Sequence, residues 1–260
     1  MTRPVPIICL AHGSRHPQAD QAVVEIAERI AESIGVPAFA AFLDFHPATL
    51  ATVAHRVVAA GYTEAVVVPL LFTRAFHTRH DVPAAIAEAA ESIDATSSAS
   101  LTLHLADGLG TGADMEELVA DFTARYLAEI TAGSANAESA VHAANAASAG
   151  ASIDKLALYS VGSSQPGANE AVAEFAERVG ARLNMRTTRF FVATGEHPGR
   201  DTNALLDFAD ERTVTVPLFV SPGLLWDRAK DRMPSGRTCT RHLGAAVAPV
   251  VISRACCALP

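Results

Sequence analysis

The 260-residue sequence has no apolar run near the roughly eighteen residues a membrane span needs, and its amino terminus has no basic stretch followed by an apolar segment. A membrane partner is therefore not expected, and the cytoplasm is the expected location. Cysteine is scarce. Cys9, Cys239, Cys256 and Cys257 form no C-x-x-C pair, and Cys9 falls in an apolar strand-like run, so reduced thiols are expected rather than a disulfide scaffold. The three carboxyl-terminal cysteines lack a fourth local ligand and a metal-site spacing, and read as ordinary thiols. Basic charge is short as well: 20 Lys and Arg against 28 Asp and Glu give a formal charge of −8, which argues against sequence-independent attraction to nucleic acid. Any anionic ligand must be met by a local basic patch. Phosphate-binding fingerprints are missing too. No G-x-x-x-x-G-K-S/T occurs, and the glycines at 108, 110 and 112 lack G-x-G-x-x-G spacing, so that segment reads as a strand-to-helix turn.

What is present is a chain 50 % hydrophobic and 18 % charged, able to bury a substantial core. The run 5–11 is continuously apolar, the pattern of a strand buried on both faces of a parallel sheet. From Pro17 to Ile34 the apolar positions Ala19, Ala22, Val23, Ile26, Ala27 and Ile30 recur at helical spacing, and Gly35-Val36-Pro37 ends the pattern. The alternation continues with a strand at 38–43, a helix over 47–60, a valine-rich strand at 65–72, a helix beginning at Asp81 and running to Ile93, a strand at 101–106 and a helix over 114–130. This is the β-α-β order of a parallel α/β sheet.

Residues 133–152 are dominated by Ala and Ser, with almost nothing large enough to anchor a core, and read as a linker. Beyond it the pattern repeats. At an offset of 149, positions 13–29 match 162–178 at ten of seventeen residues, and Val66-Val67-Val68-Pro69-Leu70 pairs with Val214-Thr215-Val216-Pro217-Leu218 at an offset of 148. The expected fold is α/β in two similar lobes, each a parallel sheet of about four strands flanked by helices. The expected boundaries are 1–132 for the lobe carrying the chemistry, 133–152 for the linker and 153–260 for the repeat lobe, with a ligand cleft between or above them. An internal repeat can replace a homodimer, so a monomer with pseudo-twofold lobes is expected.

The two copies differ where chemistry would sit. His12 aligns with Val161, His77 with Leu225 and Arg79 with Asp227. His12 follows the first strand, His77 lies in the loop after the third, and Asp44 ends the second, all on the carboxyl edge where ligands bind in open parallel sheets. Two imidazoles and a carboxylate suit a first-row divalent metal, although histidines in strand-end loops are also commonly solvated or hydrogen-bonded. Ser14, Arg15, Arg74, Arg79 and His80 stand close in sequence to these groups, and the arginines and His80 could receive carboxylates. Gly13, retained as Gly162, suits a tight turn with close backbone approach.

Leu10-Ala11-His12-Gly13-Ser14-Arg15, Ala41-Phe42-Leu43-Asp44, and Val67-Val68-Pro69-Leu70-Leu71-Phe72 followed by His77 and Asp81-Val82-Pro83 together resemble the sirohydrochlorin chelatases. The second half looks like the degenerate repeat of two-lobed members. The resemblance implies a lyase that inserts Fe²⁺ or Co²⁺ into sirohydrochlorin, on the routes to siroheme or cobalamin. It implies catalytic roles for His12 and His77, which would also meet the metal. Asp44 stands where the family usually has glutamate, and its shorter reach leaves open whether it acts as ligand or base. No tightly bound cofactor is implied, since the divalent metal is a substrate. Two alternatives use the same residues: a non-enzymatic metal or tetrapyrrole carrier, and a histidine phosphatase, against which Ala11 stands where an arginine would be wanted.

Overall fold

A computed structural model describes residues 4–73, 80–96, 100–132, 152–195 and 197–259. The Ala/Ser-rich stretch expected as a linker lies outside the described residues apart from Ser152. Strands β1 (Ile7–Ala11), β2 (Ala38–Phe42), β3 (Glu64–Pro69) and β4 (Thr102–Leu105) form one parallel sheet in the order β2-β1-β3-β4. Strands β5 (Lys155–Ser160), β6 (Thr187–Val192), β7 (Thr213–Pro217) and β8 (Thr238–Cys239) form a second with the matching order β6-β5-β7-β8. The repeat read from the sequence is thus a repeat of topology, and the α/β two-sheet fold is as expected.

Each sheet is covered by helices whose apolar stripes the sequence spells out. Helix α1 (Ala19–Ile34) buries Ala19, Ala22, Val23, Ile26, Ala27 and Ile30, the set its periodicity marks, and Gly35 closes its end with an N–H to the Ala31 carbonyl. Each larger aliphatic side chain so buried contributes about 1.5–3 kcal/mol of transfer free energy. Helix α2 (Leu50–Ala59) starts at Thr49, whose Oγ1 accepts the Thr52 N–H at 3.2 Å. Together with α3 (Val82–Thr96) it seals one sheet face through Leu50, Val53, Val57, Val82, Ala89 and Ile93 over Ile8, Leu10 and Val67.

The compact units cross the boundaries that the repeat suggested. One unit comprises residues 1–110, 220–222 and 244–260; the other comprises 111–219 and 223–243. Helix α4 (Ala113–Thr131), which follows the last strand of the first sheet, therefore belongs to the second unit and packs on α5 (Ala168–Arg182). There Glu116 accepts hydrogen bonds from Arg182 Nε at 2.6 Å and Arg178 Nε at 2.8 Å, and these arginines hold its carboxyl below the ordinary glutamate range. Helices α6 (Thr202–Phe208) and α7 (Leu224–Arg232) complete that unit around Tyr159, Phe191, Leu205 and Trp226. Helix α8 (Ala248–Ala258) packs instead against α1 and β3 of the first unit. Its Arg254 donates to the carbonyls of Gly108 and Leu109, both at 3.0 Å. The glycine-containing segment at 107–112 therefore turns carbonyls toward an arginine, where a phosphate cradle would offer N–H groups. A helix's apolar period says that it must cover something, not which sheet it covers, so 1–132 and 153–260 are halves of the sequence rather than packing units.

Among the described residues no helix is long and apolar enough to cross a membrane. All four cysteines are free thiols. Burial pushes Cys9 up to about 12 and Cys239 up to about 11, which keeps both protonated at neutral pH.

In the second unit Lys155 donates to Asp210 Oδ2 at 2.9 Å and to the Phe208 carbonyl at 3.1 Å, tying β5 to the segment before β7. Partial burial pushes the Asp210 carboxyl up, but hydrogen bonds from Lys155, Thr213 and the Arg212 N–H outweigh it and hold the group at about 2. A carboxyl lowered on folding stabilises above its unfolded value and loses that contribution as pH falls through its folded value. Asp210→Asn should therefore lower the thermal midpoint at pH 7. In thermal unfolding followed by circular dichroism, the gap from the parent should narrow below pH 4 and close near pH 2.

Candidate functional site

The order β2-β1-β3-β4 makes β1 the strand from which the chain departs to both sides, and the carboxyl ends of β1 and β3 flank the point where the connections diverge. His12 is the first residue beyond β1 and is half-buried. On one side, the Asp44 N–H donates to the His12 carbonyl at 2.9 Å, as Leu43 N–H does to Ala11, so β1 and β2 stay paired one step past their strands. On the other side, the Leu70 N–H donates to the Leu10 carbonyl at 2.8 Å, and the segment leading toward residue 77 departs from there. His77, Arg74 and Arg79 lie outside the described residues. His80 is exposed, just before α3.

Gly13 makes this geometry possible. Its φ is +95°, and a Cβ there would sit 2.0 Å from the Asp44 carbonyl oxygen. The second unit repeats the device: Gly162 has φ +91°, a Cβ would lie 2.9 Å from the Thr194 carbonyl oxygen, and the Thr194 N–H donates to Val161 at 3.0 Å. Ser14 shapes the same turn in both copies. Its Oγ accepts the His16 N–H at 3.1 Å, as Ser163 Oγ accepts that of Gln165 at 3.1 Å. The backbone frame is shared, whereas His12 and Asp44 are replaced by Val161 and Thr194.

The turn after β2 carries a residue that sequence reasoning does not single out. Phe45 has φ +60° and is 48 % exposed. A bulky side chain in the left-handed region costs about 1–3 kcal/mol and persists only where its surroundings fix it. Here they do. The Phe45 N–H donates to Asp44 Oδ1 at 2.8 Å, and the Phe42 N–H closes the turn onto the Ala48 carbonyl at 3.0 Å. Ala48 N–H in turn donates to His46 Nδ1 at 3.0 Å, which leaves the proton of a neutral His46 on Nε2, 3.7 Å from Asp20 Oδ2 at the start of α1. The Arg15 guanidinium carbon lies 4.8 Å from the Phe45 ring centre, and the His12 ring lies 6.3 Å away, tilted by 31°. His12, Arg15, Asp44 and Phe45 are thus gathered on one edge of the first sheet.

Chemically the group offers an imidazole, an exposed carboxylate and an arginine beside an exposed aromatic face. Among the described residues no three His, Cys, Asp or Glu side chains form a cluster able to hold a metal ion.

Residues 6–126 match the family model named CbiX. That match falls short of half of the chain and lies wholly in its amino-terminal part. A 77-residue stretch, 30 % of this chain, is 32 % identical to a protein of Saccharolobus solfataricus named sirohydrochlorin cobaltochelatase, and 78 residues are 30 % identical to a protein of that name from Methanococcus aeolicus. The chain spans 59 % and 54 % of the lengths of those two relatives. Among solved structures, SirB from Bacillus subtilis with Fe³⁺ and a cobalt complex of the sirohydrochlorin chelatase SirB from a Bacillus subtilis subspecies each align with a TM-score of 0.67 at 20 % identity. Each alignment covers 96 % of this chain and 93 % of SirB. At that identity they establish a shared fold. The match to CbiX covers the half that holds His12 and Asp44 and stops before the repeat, in which both are replaced.

The close approach at Gly13 can be tested separately from any activity. Gly13→Ala should lower stability by at least about 2 kcal/mol, because the added methyl meets backbone that has no flexible end to move. Gly35→Ala, where nothing lies within 4 Å of the added Cβ, should lose only about 1 kcal/mol to the left-handed backbone. Urea unfolding of both variants measures the difference.

Proposed function

We propose that the protein is a metal chelatase that inserts Fe²⁺ or Co²⁺ into sirohydrochlorin, with His12 and His77 as its catalytic histidines and no tightly bound cofactor. The observation that carries this reading is the placement of His12 at the divergence point of the first sheet, backbone-paired to Asp44. It is supported by the CbiX match over that half and by relatives whose names specify cobalt and sirohydrochlorin.

Insertion replaces two pyrrole N–H bonds with metal–nitrogen bonds and releases two protons, while the ion sheds water. It calls for a weak base active near neutral pH and for ligands that let the metal go again. A neutral imidazole provides both. His12 would take a pyrrole proton or meet the incoming ion from the mouth of the sheet, with His77 reaching the same ion from the loop after β3. Asp44 is exposed, and its Oδ1 already accepts the Phe45 N–H, so its free acceptor capacity faces solvent for a proton or a hydrated cation. Arg15, and with it Arg74, Arg79 and His80, would meet the carboxylates of the macrocycle, supplying the local basic patch that a chain of charge −8 needs. Ser14 would stand at the same rim, its hydroxyl already holding the turn.

Purified protein should convert sirohydrochlorin to its metal complex over many turnovers, followed by the change in absorbance. His12→Ala and His77→Ala should each slow insertion by roughly 10²-fold or more, the scale of a lost general base, with unchanged unfolding curves. Product limited to one equivalent per chain would identify a carrier instead, and wild-type rates from both variants would remove the proposed site. Competition between Fe²⁺ and Co²⁺ in the same assay identifies the preferred metal.

A further inference from the structure

The internal repeat supplies a comparison at Phe45 that no single lobe could. Asp44 and Thr194 occupy equivalent places, since their N–H groups donate to His12 and Val161 across matching strand ends. The next residue is Phe45 in the first unit and Gly195 in the second, and both are in the left-handed region, at φ +60° and +88°. Glycine adopts that conformation without strain, and the second unit uses it. The first unit places a phenylalanine there, and its ring is not needed for a core: about half of it faces solvent. An aromatic side chain kept at an unfavourable φ, exposed, and next to the candidate catalytic groups is strain held at a place where the side chain itself is used.

Its neighbours indicate for what. Arg15 lies over the ring with its guanidinium carbon 4.8 Å from the centroid, so the ring orients a cation while the cation still faces outward. The His12 ring stands 6.3 Å away on the same edge. The turn that holds the ring is fixed by backbone bonds at both ends and by His46, so the surface is preorganised.

We propose that Phe45, with Arg15 laid over it, is a substrate-binding shelf. The aromatic ring meets the flat apolar face of a polycarboxylated tetrapyrrole, and Arg15 takes one of its peripheral carboxylates, which sets the macrocycle's distance from His12. This rests on the chelatase reading and adds to it the residue pair that selects a flat, anionic macrocycle. In the second unit Gly195 and Val161 stand in the places of Phe45 and His12, and neither carries a ring.

The test is Phe45→Gly, which installs the residue the second repeat uses. Metal-free sirohydrochlorin is titrated into wild type and variant and followed by its absorbance and fluorescence; KM and kcat are then measured separately, and thermal unfolding is recorded. The shelf predicts about tenfold or greater weakening of binding and a matching rise in KM, with kcat within about twofold. It also predicts a thermal midpoint that is unchanged or raised, because glycine relieves the left-handed strain. Phe45→Tyr should restore binding to within about twofold of wild type. Wild-type protein that binds no sirohydrochlorin overturns the chelatase reading itself. Wild type that binds while Phe45→Gly binds equally well overturns the shelf alone. A midpoint that falls together with binding assigns the ring a structural role and overturns the shelf too.

Discussion

The approach of backbone to backbone at Gly13 is the constraint on which the first unit's site depends. Without a side chain at that position, β1 and β2 continue pairing beyond their last strand residues, and the peptide of Asp44 lies against the turn that carries His12. That single contact sets the spacing between an imidazole on one strand end and a carboxylate on the next. The second unit keeps the same contact through Gly162 and Thr194 with Val161 and Thr194 in place of His12 and Asp44, which separates what the backbone requires from what the side chains add. A backbone frame can be kept whole while the side chains it carries diverge between copies.

The Asp20–His46 pair shows a similar separation. In the second unit Asn169 occupies the place of Asp20 at the second residue of its helix, and its Nδ2 lies 3.2 Å from His197 Nε2. Asn169 Oδ1 accepts the Ser163 N–H and its Nδ2 donates to the Ser163 carbonyl, which fixes the amide's orientation, so His197 Nε2 is the acceptor. The proton of a neutral His197 is then on Nδ1, opposite to its place on His46. Both units fasten the turn after their second strand to a helix start through a histidine, one against a carboxylate and the other against an amide.

Much of this architecture is legible in the amino-acid sequence itself. The stripe Ala22, Val23, Ile26, Ile30 is the period-3.6 pattern of a core-facing helix, and the continuous apolar runs at 7–11 and 65–69, short and rich in β-branched residues, fit strands covered on both faces. The repeat makes the sheet order of one half a forecast for the other. His12 and Asp44 are legible as strand-end residues because the carboxyl edge is a property of topology, whereas strand periodicity says nothing of where His77 lies. The ownership of α4 and α8 is not legible, since an apolar face does not name its partner. Phe45 escapes such a reading because left-handed backbone is looked for at glycine and asparagine; its register opposite Gly195 is the available signal.

Helix α8, far along the chain, closes the first sheet, with Arg254 gripping the turn at Gly108 and Leu109. Synthesis order and assembly order therefore disagree. As the chain leaves the ribosome, β1 and β3 emerge early, but the surface that α8 shields stays open until residues 244–258 have been made. Folding of the unit that carries His12 is thereby coupled to synthesis of the second sheet as well, and a product cut short before α8 would expose the apolar parts of α1 and β3 that this helix covers, the kind of surface that chaperones and proteases recognise.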